Sequence, residues 1–149
     1  MPLHTAMELL HVDLTECILK VFYAVYNELG AGFLEQVVQT AMVIALIAEG
    51  LEVVEHTGFP VHFRGEIIGE FFPDLSINRK VLVELKSKRA VTLEDEAQGL
   101  NYLRVSDFEV LLILNFGPKP EVVRRILSNT RKALRGTPDA IRDLRIRNR

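Results

Sequence analysis

Cysteine is nearly absent. Cys17 is the one thiol in 149 residues, which excludes an internal disulfide and a thiolate metal cluster within one chain. It falls on the apolar stripe of a predicted helix, the place of a buried structural thiol rather than a nucleophile. The four histidines, His4, His11, His56 and His62, match no metal-binding spacing such as HExxH and read as surface or strand residues. No long hydrophobic run occurs either. The longest apolar stretch, AMVIALIA at 41–48, is far shorter than the roughly 20 residues of a transmembrane helix. No basic segment, apolar run and cleavage site opens the chain, so a secretory signal is not expected. Internal repeats and low-complexity segments are missing as well. These absences lead to the expectation of a cytoplasmic protein with no membrane partner.

Hydrophobic residues make up 48% and charged residues 26% of the chain, a composition that folds rather than staying disordered. A domain of this length buries about 70% of the surface its unfolded chain exposes, so one core is expected, in a single domain over 1–136 followed by a basic tail over 137–149. The net charge of -2 hides an asymmetry. Residues 124–149 hold nine Lys and Arg against Asp139 and Asp143, whereas residues 1–123 hold nine against eighteen acids. A cationic arm beside an acidic body suits a nucleic-acid partner and equally a solvated helix. The acidic body is compatible with carboxylates that hold a metal.

Leu14, Ile18, Val21, Phe22, Val25 and Leu29 recur at helical spacing within 13–29, with Asp13 or Thr15 near the N-cap and Gly30 as C-cap. Gly30-Ala31-Gly32 lacks the Lys-Ser/Thr of a phosphate loop and reads as a turn. A second helix is predicted over about 33–49; it is apolar on most sides (Met42, Val43, Ile44, Leu46, Ile47), which points to deep burial. Periodicity then turns β-like: strands are predicted at 51–56, 59–64, 66–77 and 80–87, with turns at Thr57-Gly58, Arg64-Gly65 and Asn78-Arg79. TLED at 92–95 resembles a capping box and opens a helix to about 105. Residues 108–116 form a continuously apolar strand, as expected of one buried on both faces. Pro118 and Pro120 lead into a final helix over about 120–134, and 139–149 is a short helix or an unstructured tail. The order ααββββαβα gives a mixed α/β sandwich, a four-strand antiparallel run joined by a helix crossover to a last buried strand.

Residues 71–86, FFPDLSINRKVLVELK, place charges inside β-prone runs. Leu75 and Ile77 share one strand face, and Val81, Val83 and Leu85 share one face of the next. Matching these apolar faces sets Ile77 opposite Val81 and requires a three-residue loop, Asn78 to Lys80. A two-residue turn would put Leu75 and Ile77 on the face of Glu84. In the selected register Asp74 lies opposite Glu84, with Cβ atoms about 4.5–5.5 Å apart. Two carboxylates so close repel unless a positive charge sits between them. A hard cation with oxygen ligands, Mg²⁺ or Mn²⁺, supplies it. Lys86 points to the same side, where its ammonium can meet an attacking water or a phosphate oxygen. The plainer reading is a solvated hairpin face with an incidental Glu-Lys pair.

Pro73-Asp74 followed by Glu84-Leu85-Lys86 resembles the PD…(D/E)xK signature of the nuclease superfamily that includes type II restriction enzymes, Holliday-junction resolvases and RecB-like exonucleases. GFLEQVV (32–38), EAQGLNYL (96–103) and LLILNFG (111–117) complete a resemblance, over roughly residues 13–128, to the GxxExxY branch of that superfamily. The resemblance implies a restriction-endonuclease-like core and a metal-dependent nuclease acting on phosphodiester bonds, in DNA ahead of RNA. Asp74, Glu84 and the main-chain carbonyl of Leu85 would hold the metal. Glu35 would be a further acid from the first helices; on its own it is an ordinary first-turn acid. Gln98 and Tyr102, on one face of a helix, resemble a QxxxY element that contacts substrate or orients Lys86. Small nucleases of this type often pair to cut two strands, so a homodimer is expected. Two departures touch substrate contacts: Val38 stands where the motif has Tyr, and Asp95 where a His is common. The rival readings are a non-catalytic nucleic-acid-binding or assembly module that keeps the fold, and an acidic metal-binding or structural protein.

Overall fold

The computed structural model describes residues 10–134, so the expected tail over 137–149 and its domain boundary lie outside the described residues. Two helices open the chain, α1 (Val12–Leu29) and α2 (Glu35–Ala48). Five strands follow: β1 (Val53–Glu55), β2 (Phe59–Phe63), β3 (Glu66–Phe71), β4 (Leu75–Ile77) and β5 (Val81–Lys86). Helix α3 (Leu93–Val105) leads to β6 (Val110–Phe116), β7 (Pro120–Ile126) and a short α4 (Asn129–Leu134). Strands β1-β4-β5-β6-β7 form one sheet in that order; β2 and β3 form a separate two-stranded ribbon. Within the large sheet β5 and β6 run parallel, joined through α3, and the other neighbours are antiparallel. This is the mixed α/β architecture that the sequence implies.

The helix-spaced residues Ile18, Val21, Phe22 and Val25 bury one face of α1. Phe22 meets Phe116 edge-on, with ring centroids 5.0 Å apart. With Val38, Met42 and Leu46 of α2 they cover the sheet face formed by Leu75, Ile77, Val81, Val83, Leu85, Val110, Leu112 and Leu114. Removing such side chains from water is worth about 1.5–3 kcal/mol each. Leu82, Leu111 and Ile113 point the other way, under Tyr102 and Leu103 of α3. Strand β6 is therefore buried on both faces, as its unbroken apolar run predicts. At the end of α1 Gly30, at φ 75°, donates to the Tyr26 carbonyl. The Thr92–Asp95 capping box opens α3 as expected.

Four expectations need correction. The residue ahead of α1 is His11, without a side-chain cap, and Thr15 Oγ1 instead donates to the Val12 carbonyl at 3.1 Å. Helix α2 is buried on one side only: Ile44 and Ile47 are 66% and 55% exposed, because α2 lies on the outside of α1 and the sheet with nothing beyond it among the described residues. The predicted strand 66–77 is two strands in two sheets, broken at Phe72–Asp74, where Pro73 cannot donate to a ladder. The four-strand antiparallel run is thus β1-β4-β5 with the β2–β3 ribbon set apart. Residues 120–126, predicted as helix, form edge strand β7 beside β6. Val122 and Val123 fit either period, and strand pairing sends them to opposite cores.

Candidate active site

The register at the centre of the sheet is the one the apolar faces demand. Ile77 pairs with Val81, Ser76 with Leu82 and Leu75 with Val83. Asn78 and Arg79 both adopt positive φ, Lys80 N donates to the Ile77 carbonyl at 2.9 Å, and Lys80 is the third loop residue before pairing resumes. Carrying this register one step outward brings Asp74 against Glu84, and each carboxylate accepts from the main chain of the other strand. Asp74 N donates to Glu84 Oε1 at 2.7 Å, and Leu85 N donates to Asp74 Oδ2 at 2.8 Å.

Both acids are held toward the protonated state. Burial pushes the Glu84 carboxyl up to about 8, reinforced by the Asp74 charge and opposed by the hydrogen bond from the Asp74 amide. Burial also raises Asp74; the Leu85 amide opposes it, and the Glu35 charge adds to it. Glu35, the first residue of α2, is exposed and acts on both acids through space. Tyr102, buried on α3 and accepting a hydrogen bond from Gln98 Nε2 at 3.0 Å, is raised by burial and by the Glu84 and Asp74 charges. The fold therefore brings Asp74, Glu84, Leu85, Glu35, Gln98 and Tyr102 around one end of β5.

Lys86 closes the set. Its ammonium lies 3.8 Å from Asp95 Oδ1. Asp95 also pairs with Lys88 at 2.9 Å and accepts from the Thr92 amide at 2.9 Å. Burial pushes the Asp95 carboxyl up, but Lys88, Thr92 and Lys86 outweigh it and hold it low.

A family model described as the PD-(D/E)XK nuclease superfamily matches residues 12–126. The chain belongs to the PD-(D/E)XK nuclease superfamily. No curated protein and no solved structure shows a significant match to the chain. The mixed sheet flanked by helices is consistent with the restriction-endonuclease-like fold, and nucleic acid is the substrate class that the superfamily implies. No helix among the described residues is long and apolar enough to cross a membrane.

PD-(D/E)XK nucleases typically use divalent metals, and the donor set fits one. Two neighbouring carboxylates, one pushed up to about 8 despite the Lys86 charge, suit the further positive charge that a hard cation supplies. Among the described residues no three Asp, Glu, His or Cys side chains are gathered closely enough to form a metal cluster of their own. Main-chain oxygen and water would therefore complete the coordination. Sequence reasoning missed two neighbours of the site. His56, placed there as a surface or strand residue, donates its amide to the Asp74 carbonyl at 3.0 Å and acts on the Asp74 carboxylate through its charge. Gln39, buried one turn after Glu35, has Nε2 3.1 Å from Glu55 Oε1 and 3.2 Å from His56 Nε2. The i, i+4 spacing of Glu35 and Gln39 is the signal that could have found it.

Proposed function

We propose that the protein is a metal-dependent nuclease that hydrolyses phosphodiester bonds, in DNA ahead of RNA. The observation that carries this reading is the Asp74–Glu84 pair, locked by reciprocal main-chain hydrogen bonds with Lys86 beside it. Asp74, Glu84 and the Leu85 carbonyl would hold Mg²⁺ or Mn²⁺, with Glu35 reaching it directly or through water. A cation there supplies Lewis acidity to the phosphate and lowers the pKa of bound water. Lys86 Nζ donates to the attacking oxygen or to the developing negative charge on phosphate. Gln98 and Tyr102 contact the substrate or orient Lys86. Gly32 and Glu35 favour placement in the GxxExxY branch, and the exposed apolar side chains of α2 are what a homodimer would cover.

The test is nicking of plasmid and single-stranded DNA with Mn²⁺. Wild type should cleave, and Asp74→Ala and Lys86→Ala should not. If neither substitution changes cleavage, the enzyme reading fails. The module that keeps the fold without chemistry is the second reading, favoured by the lack of a three-acid cluster among the described residues; it would bind nucleic acid but leave it intact.

A further inference from the structure

A cavity of about 650 Å³ opens beside the candidate active site, lined by Glu35 together with Phe33, Ser87, Arg89 and Gly117. A second cavity of about 430 Å³ continues it past Arg89 and Pro118 to Lys119. Together they make a groove that starts at Ser87, the residue after Lys86, and runs along the loops after β5 and β6. The walls are fixed. Ser87 Oγ donates to the Phe33 carbonyl, and Tyr26 OH donates to the Gly117 carbonyl at 2.6 Å. A Cβ at Gly117 would collide with the Lys88 carbonyl oxygen, so the two loops pass at backbone contact.

The groove's charge is not consumed internally. The Lys88 ammonium is neutralised by Asp95 and the Glu121 carboxylate is engaged by the Val91 amide and by Asn115. The exposed side chains of Arg89 and Lys119 make no ion pair or hydrogen bond among the described residues. At the mouth, Phe33 and Leu34 are 42% and 76% exposed. An aromatic face with two free cations spaced along a trough is the arrangement that takes bases by stacking and phosphates by charge. The volume is that of a small-ligand cleft, roughly 300–1,000 Å³, a size better matched to an unpaired strand than to a duplex.

We infer that this groove receives an unpaired DNA strand leading to or from the scissile phosphate, with bases against Phe33 and phosphates on Arg89 and Lys119. The inference rests on the nuclease reading for its substrate and makes single-stranded or frayed DNA the preferred form.

The experiment is fluorescence anisotropy of the full chain in chelator, with labelled oligodeoxythymidylate and a blunt duplex as probes, alongside Mn²⁺ cleavage assays. The single strand should bind more tightly than the duplex. Phe33→Ala should weaken it roughly tenfold, and the Arg89→Ala/Lys119→Ala double variant should lower the salt slope of binding by about 1.4. Lys20→Ala, at an exposed position of α1, should leave both unchanged. Equal affinity for duplex, or groove variants that bind like wild type, overturns the groove. If those variants bind like wild type while wild type still cleaves, only the groove falls. If wild type binds as expected but never cleaves, only the nuclease reading falls.

Discussion

The Asp95 carboxylate stands 3.8 Å from the Lys86 ammonium while it also closes the capping box at the start of α3. One side chain thus ties the helix N-terminus to the lysine of the ExK motif. Asp95→Ala should cost about 1–2 kcal/mol in urea denaturation, as lost caps do, and should also lower Mn²⁺-dependent nicking. Thr92→Ala removes the other half of the cap at a similar stability cost but leaves Lys86 its partner. If the two variants lose the same cleavage, Asp95 acts only as a cap.

Stability should depend on pH in a direction opposite to that of most acids. The folded Glu84 pKa of about 8 lies above its ordinary value of 4.5. Between those values the native state binds more protons than the unfolded state, so stability falls as pH rises through that window. Metal-free melting temperature should drop from the acid to the alkaline side, with a total effect on the order of a few kcal/mol. Glu84→Gln should flatten the profile, and Asp74→Asn should raise stability at the alkaline end while abolishing cleavage. Added Mn²⁺ should raise the melting temperature most at the alkaline end, where protons compete least for the carboxylates.

Two glycines should respond unequally to alanine. At Gly117 the new methyl meets the rigid Lys88 carbonyl oxygen, so Gly117→Ala should destabilise by roughly 2–3 kcal/mol. At Gly99, within α3, the nearest atom is the end of a side chain and not backbone, Leu111 Cδ2 at 2.9 Å. There the helix-propensity gain of about 1 kcal/mol offsets the crowding, and chemical denaturation should find Gly99→Ala within about 1 kcal/mol of wild type.

The two sides of α2 should also part company. Met42→Ala empties a fully buried site and should cost about 2–5 kcal/mol. Ile44→Lys, on the exposed side, should change stability by no more than about 0.5 kcal/mol. With the proposed homodimer closing over α2, sedimentation should show the wild type as a dimer and Ile44→Lys as a monomer.

What was legible in the sequence was whatever alternation and turn chemistry could decide locally. The faces of Leu75, Ile77, Val81, Val83 and Leu85 set the Ile77–Val81 pairing, and that pairing alone brought Asp74 to Glu84. Thr92 and Asp95 announced α3 for the same local reason. What stayed hidden depended on partners distant in the chain. Residues 120–126 carry no decisive period, and β6 makes them a strand. Ile44 and Ile47 look buried until the sheet is seen to lie on one side of α2 only. His56 reaches Asp74 because β1 pairs with β4, a pairing that the predicted continuous strand 66–77 concealed.

The chain leaves the main sheet after β1 and returns to it at β4, and the His56 amide meets the Asp74 carbonyl at 3.0 Å where the two ends come together. Residues 57–73 are thus a closed excursion whose ends are already stapled. A loop with its ends fixed can change length at small entropic cost. The tip of the β2–β3 ribbon, around Arg64-Gly65, is therefore the adaptable part of the molecule, whereas its base is anchored, with Phe59 against Phe108 and Phe71 against Tyr102.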